Sequence, residues 1–301
     1  MRETTDILIS GGGVAGLTAA AALGSAGFRV ICVDPAPPVT DAAADGADLR
    51  TTAFLQPSIT VLEQAGLWSR LAPHAAALQV MRIVDAGGAE PVARLVRDFD
   101  ATDISDQPFG WNLPNWLLRR EMVARLADLP NVSFRAGLGF ARMLTREAQA
   151  LVTLTDGSQI AARLVIGADG RTSPVRESLG IAARTLRYGQ KALAFAVAHD
   201  TPHDNISTEV HRSGGPFTLV PLPDRDGQPH SAVVWMEEGA TIARLQSLPV
   251  AAFETEMTAR SSGILGPLRL ASRLTVWPII SQIADRMSGQ RSVLMAEAAH
   301  V

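Results

Sequence analysis

Residues 6–34 read DILISGGGVAGLTAAAALGSAGFRVICVD, and this stretch decides the fold. An apolar run, 6–10, stops at three glycines. From 14 to 26, alanine and leucine recur with helical spacing, and Gly27 suits the position just past a helix C-terminus. A β-branched run follows at 29–34. Strand, turn, helix and strand within about thirty residues predict a βαβ unit.

Gly11, Gly13 and Gly16 stand in Gly-x-Gly-x-x-Gly spacing. Gly11 permits a tight turn out of the strand. Gly13, lacking a Cβ, lets a pyrophosphate approach the backbone, and Gly16 lets the helix pack close to the sheet. Val14 and Ala15 open the helix, whose free N–H groups and partial positive charge favour phosphate. Asp34 ends the second strand, placed to accept both hydroxyls of an adenosine ribose. A carboxylate there disfavours a 2′-phosphate. The stretch predicts a dinucleotide site.

The chain has 301 residues, 47 % of them hydrophobic, enough for one large domain or two interleaved ones. Its net charge of −3 offers no phosphate-neutralising surface, which argues against a nucleic-acid partner. A single cysteine, Cys32, excludes a disulfide framework and falls mid-strand, where a small buried side chain is expected. The N-terminus lacks the apolar core of a signal peptide, and 14–26 is too short to span a bilayer. A cytoplasmic protein is expected, with peripheral contact at the inner membrane left open.

Further along, helical spacing is read at 58–71 and at 115–127, with Asn115 near an N-cap. Paired strands are read at 80–84 and 91–96, a strand at 131–135, and a hairpin at 151–155 and 159–166 across Asp156-Gly157. Strands at 191–198, 207–211, 217–220 and 231–236 precede helices near 240–245 and 250–261. The pattern predicts an α/β fold: a doubly wound domain with a β-rich domain threaded through it.

Asp-Gly also occurs at Asp45, Asp169 and Asp226. Asp45 and Asp226 lie in polar loops and read as turns. Asp169 follows RLVIG, a continuous apolar run typical of a parallel strand buried on both faces, and precedes Ser173 and Pro174, which suit a helix start. Asp169 and Gly170 thus fall at the carboxyl edge of a parallel sheet, where open α/β folds bind ligands.

GGGVAG at 11–16 and GADGRTSPVR at 167–176 together resemble the paired fingerprints of the class A flavoprotein monooxygenases, with the para-hydroxybenzoate hydroxylase fold. DLRTTAFLQPSITVLEQAGLW (48–68), FGWNLPNWLLRREMVARL (109–126), SGGPFTLVPLPD (213–224) and WPIISQIADRM (277–287) are similar to ubiquinone-biosynthesis hydroxylases of the UbiH/UbiF type. The resemblance covers essentially the whole chain. It implies a Rossmann-like FAD-binding domain of glutathione-reductase type at 1–78, 113–178 and 288–301. A substrate domain is implied at 79–112 and 179–287.

The resemblance further implies that Asp169 and Gly170 contact FAD, with NAD(P)H as co-substrate, and that Arg50 and Arg119 meet the flavin diphosphate. The family's third fingerprint, Gly-Asp-Ala-Ala-His, reads Ala296-Glu297-Ala298-Ala299-His300 here, which puts Glu297 where a carboxylate meets the ribityl chain. The loop and helix that follow this fingerprint in the family would lie past Val301, so a chain cut short at its C-terminus is implied.

His199 and His203 are four apart, but Pro202 opposes a helix, and no metal is expected. Neither a Gly-x-Ser-x-Gly elbow nor a Walker A loop occurs. One Gly-x-Gly-x-x-Gly occurs, whereas enzymes that seat FAD and NAD(P)H on separate Rossmann folds need two. The expected function is FAD-dependent hydroxylation of a lipophilic polyprenyl phenol or quinone precursor, with NAD(P)H and O2 in ubiquinone biosynthesis. No acid or base stands out. Two alternatives stay open: a related flavoprotein such as a prenyl reductase, and an inactive fragment lacking the pocket-closing loop. Oligomeric state is not legible.

Overall fold

The computed structural model describes residues 3–88, 92–212 and 214–301. Its centre is the βαβ unit: β1 (Glu3–Ser10), α1 (Val14–Ser25) and β2 (Val30–Asp34). β1 runs parallel to β2 on one side and to Gln159–Gly167 on the other. Val132–Ala136 extends the parallel sheet beyond β2. Gln159–Gly167 shares its far edge between two partners. Its first half pairs antiparallel with Ala150–Leu154, and its last three residues pair parallel with Ser292–Leu294.

The sheet is buried on both faces, so its strands are apolar without alternation; Val30, Ile31, Cys32 and Val33 are all buried. Ile7, Ile9, Val30 and Cys32 form one cluster with α1 and the helix Asn115–Ala127, through Leu17, Leu118 and Met122. Leu8, Ile31 and Val33 form a second cluster with the hairpin Phe140–Thr145/Ala150–Leu154 and the short helix Pro174–Ser178, through Val152 and Val175. Each fully buried leucine contributes roughly 1.5–3 kcal/mol.

The β-rich part is a second, largely antiparallel sheet built around Ala183–Ala198, Gly215–Arg225 and Gln228–Glu238. Helices Gly239–Gln246 and Val250–Arg260 cover one face, where Phe253 stacks edge-on against Phe195 at 5.4 Å. Thr275–Ala284 flanks Ala183–Ala198 and puts Trp277 beside Ala192. Thr51–Leu55, Gly110–Pro114 and Ala76–Leu78 form a separate three-stranded sheet. There Asn112 Nδ2 donates to the Pro221 carbonyl at 3.0 Å, a buried link to the β-rich sheet.

Three local readings are corrected. The expected helix 58–71 is two helices, Gln56–Gln64 and Trp68–Leu71, because Gly66 adopts φ +68° and ends the first. Asn115 does not cap its helix: Pro114 holds the cap position, and the Asn115 side chain is spent on Thr52 and Asp48. The strand expected at 91–96 is Leu95–Asp100, paired with Val80–Asp85. Pro91 and Ser213, which the sequence reading included, lie outside the described residues. No helix of the described residues is long and apolar enough to cross a membrane.

Candidate functional site

β1, Gln159–Gly167 and Ser292–Leu294 all end at the same edge of the parallel sheet, and a cavity of about 1190 Å³ opens there. Ten of the eleven residues expected from sequence line it: Gly11, Gly13, Val14, Ala15, Asp34, Arg50, Arg119, Asp169, Gly170 and Glu297. Gly16 lies behind the turn. A Cβ there would sit 1.9 Å from the Gly11 carbonyl oxygen, so glycine is required for the close packing of α1.

Gly11 has φ +119°, and a Cβ would run into the Ala168 carbonyl. α1 begins at Val14 with Gly13 as N-cap, no side-chain cap and no acidic residue in its first turn. Its leading N–H groups are therefore left for a ligand. A Cβ on Gly13 would meet nothing within 4 Å among the described residues. That side of the turn is open to an approaching anion.

Asp34 Oδ2 accepts from the Gly12 amide at 2.5 Å, and Oδ1 accepts from Ala36 N at 2.9 Å. Its carboxylate thus braces the glycine turn from the end of β2 and keeps lone pairs for hydroxyl donors. Gly12 was not singled out in the sequence. A Cβ there would press within 2.9 Å of the Asp34 Cβ, so the middle glycine of the run answers to Asp34.

On the opposite wall, Asp48 is the hub. It accepts from the Arg50 guanidinium twice, Nε to Oδ1 at 2.9 Å and Nη2 to Oδ2 at 2.7 Å, and from the Arg50 amide at 3.2 Å. It also accepts from Asn115 Nδ2 at 3.0 Å, and Arg119 Nη2 stands 3.9 Å away. Burial pushes the Asp48 carboxyl up, but the bonds from Arg50 and Asn115 outweigh it and hold it below the usual carboxylate range. Burial likewise opposes the charge on Arg50, and Asp48, with help from Glu297, more than restores it. Arg119 lies in the early turns of its helix, where a cation opposes the helix dipole, and Asp48 sets a carboxylate beside it. Arg120 points elsewhere, to Glu121 and the Trp116 ring. Asp48 stood in the quoted Asp-x-Arg, yet nothing local marked it or Asn115 as partners.

At the sheet edge, Asp169 Oδ2 accepts from Ser10 Oγ at 3.1 Å and from Val175 N at 3.2 Å. Burial is the larger effect and raises its carboxyl above the ordinary value. Ser173 caps the next helix by accepting from Arg176 N at 3.0 Å. Glu297 follows the strand Ser292–Leu294 and meets Arg171 Nε at 3.1 Å. Arg176 donates to the carbonyls of Ala298 (2.9 Å) and Arg171 (2.6 Å), binding the two fingerprint loops to each other.

The residues suit a polar, anionic dinucleotide such as FAD. Two buried polar atoms on the cavity residues, Arg119 Nε and Asp169 Oδ1, have no hydrogen-bond partner among the described residues. A bound ligand would satisfy them. His199, by contrast, uses both ring nitrogens on Thr201 O (2.8 Å) and Ser231 Oγ (2.9 Å), as a structural histidine does.

The family described as FAD binding domain matches residues 4–301. Ubiquinone hydroxylase UbiL of Rhodospirillum rubrum is 35 % identical over 301 residues, which cover 99 % of this chain and 67 % of that protein. The 3-demethoxyubiquinol 3-hydroxylase of Escherichia coli is 27 % identical over 305 residues, 99 % of this chain and 74 % of that one. The chain spans between 63 % and 74 % of the length of the first curated relatives it matches. Among solved structures, PqsL of Pseudomonas aeruginosa, in complex with 2-aminobenzoylacetate, shares the fold: TM-score 0.79 at 22 % identity, over 99 % of this chain and 80 % of that one. The turn at Gly11–Gly16, the acid at Asp169 and a match that runs nearly end to end agree, and the chain belongs to the FAD binding domain family, with hydroxylases among its curated relatives.

Proposed function

We propose that this chain carries the FAD-holding and substrate-facing parts of a hydroxylase. Its substrate is a lipophilic aromatic ring of the ubiquinone-precursor kind, a polyprenyl phenol or quinol. The observation that carries the reading is the convergence of Gly13, Asp34, Arg50, Arg119, Asp169 and Glu297 on one cavity. The names of the relatives from Rhodospirillum rubrum and Escherichia coli support the substrate class.

In this reading the amides of the glycine turn and of α1 would hold the diphosphate, with Arg50 and Arg119 adding charge. Asp34 would accept the adenosine ribose hydroxyls. Asp169 and Glu297 would take the flavin end. Bound FAD supplies the redox chemistry: with NAD(P)H and a proton it converts O2 and the aromatic C–H into a phenol and water. The chain's own part is to orient the ring and exclude water. The uncovered face of the β-rich sheet turns Trp277 onto Arg50 at 3.7 Å, so that face meets the cavity side and would carry the substrate. Residues 1–78, 113–178 and 288–301 make the FAD-binding unit in this reading, and 79–112 with 179–287 the substrate unit.

The test is a flavin titration followed by turnover under ¹⁸O2 with a short-chain prenyl phenol. The expected outcome is stoichiometric FAD and one ¹⁸O atom in the product ring. Retained FAD with reduction of the prenyl chain and no label would make the protein a reductase instead.

A further inference from the structure

Residues 35–50 join β2 to Thr51–Leu55 without helix or strand. No backbone ladder holds them, yet Pro35, Pro38, Gly46, Asp48 and Arg50 line the cavity. Apart from the Asn115 amide, which donates to the Arg50 carbonyl at 2.9 Å, their anchors from other elements are side chains, and two of these come from one segment of the β-rich part. The Arg273 guanidinium donates to the carbonyls of Ala47 (2.8 Å), Ala44 (3.3 Å) and Ala42 (3.4 Å). Four residues on, the Trp277 ring stacks on the Arg50 guanidinium, 3.7 Å from Cζ to the ring centroid.

Trp277 is itself fixed. Its Nε1 donates to Thr275 Oγ1 at 3.2 Å, and its backbone is in register with Ala192 in the sheet. Asp48 holds the edge of the same guanidinium through Nε and Nη2. Arg50 is therefore fixed on one face and one edge. Its Nη1 makes no hydrogen bond among the described residues.

We propose that Arg273 and Trp277 are positioning residues for the dinucleotide site. They fasten the 35–50 wall to the β-rich sheet and set the plane of Arg50, so that its unused donors face the anionic diphosphate. The proposal rests on the reading of the cavity as an FAD site. A guanidinium already held in plane loses less freedom on binding, so the stack adds affinity without touching the ligand.

Titration of the purified chain with FAD, read by flavin fluorescence, tests this. Trp277→Ala is expected to weaken binding about tenfold, and Trp277→Phe, which keeps an aromatic face, by less than about threefold. Trp277→Leu replaces the alanine variant if that one does not fold. In an Arg50→Ala background the same change at Trp277 is expected to cost less than about twofold, because its effect runs through Arg50. Arg273→Gln is expected to speed elastase cleavage within 42–47 with an unchanged far-ultraviolet spectrum.

Equal losses with and without Arg50 would make Trp277 a packing residue and overturn the proposal. Unchanged affinity in Trp277→Ala, or unchanged cleavage in Arg273→Gln, overturns the role of that residue. A wild-type chain that binds no FAD overturns the cavity reading and the proposal together, whereas normal wild-type binding beside unaffected variants overturns the proposal alone.

Discussion

Gly16 rests against the carbonyl oxygen of Gly11, so closely that a Cβ would fall 1.9 Å away, while three residues earlier a Cβ on Gly13 would meet nothing within 4 Å. The two glycines of one fingerprint therefore serve different ends. Gly16→Ala is expected to destabilise the fold by several kcal/mol, on the order of 3, because backbone must move. Gly13→Ala is expected to melt within about 2 °C of wild type, since Gly13 has φ −75° and open space, yet to lose at least about tenfold in FAD affinity. Paired melting and flavin titrations check this. Matching behaviour of the two variants would refute the division of roles.

Asp169 sets a pH signature. Burial holds its carboxyl above the ordinary value, so the ligand-free fold binds this proton more tightly than the unfolded chain does. Its stabilising contribution is full below the unfolded value near 3.8 and is lost as pH rises through the folded value. At neutral pH the charged side chain therefore weighs against the fold. Asp169→Asn is expected to melt no lower than wild type at pH 7 without flavin, with its relative standing falling toward pH 4. Melting curves across pH 4–8 decide, and a variant several degrees less stable at pH 7 would contradict the assignment.

The opposite sign holds for His199. Burial, aided by the nearby His203 and His230, depresses its value below 6.5. The unfolded chain then takes up the proton first, so the stability tied to neutral His199 is present above pH 6.5 and drains away as pH falls. Replacement by Gln is expected to flatten the decline in melting temperature between about pH 7.5 and 5.5. A decline as steep as the wild type's would assign it to other groups.

Cys32 is buried in β2, and burial, with Asp34 adding to it, pushes its thiol up to about 12. The native chain is expected to leave Ellman's reagent unreacted at pH 8 and to release one equivalent of colour in denaturant. Rapid reaction of the folded chain would mean that the sheet opens around β2.

The βαβ unit was legible because its evidence is local: periodicity changes at a run of glycines, and an acid closes the second strand. Asp169 could be told from three other Asp-Gly pairs for the same reason, by the apolar strand before it. What escaped is tertiary. Asp48 meets Asn115 and Arg119 from a helix more than sixty residues on, and Arg50 finds Trp277 in the β-rich sheet. Neither pairing leaves a periodicity in the chain. The break at Gly66 also depends on a distant residue. Arg125 packs within 2.9 Å of where its Cβ would be, and donates to the Ala65 carbonyl at 3.0 Å.

The shared edge of Gln159–Gly167 has a consequence for biosynthesis. Val165, Ile166 and Gly167 wait for partners at Ser292, Val293 and Leu294, which leave the ribosome long after the rest of the sheet. Until then the rim that carries Asp169 lacks its outer partner, with raw strand edge beside the future flavin cavity. Assembly of the cofactor site thus waits until residue 294 has been made, and a chain stalled before residue 292 would offer that edge to chaperones or to its neighbours on the polysome.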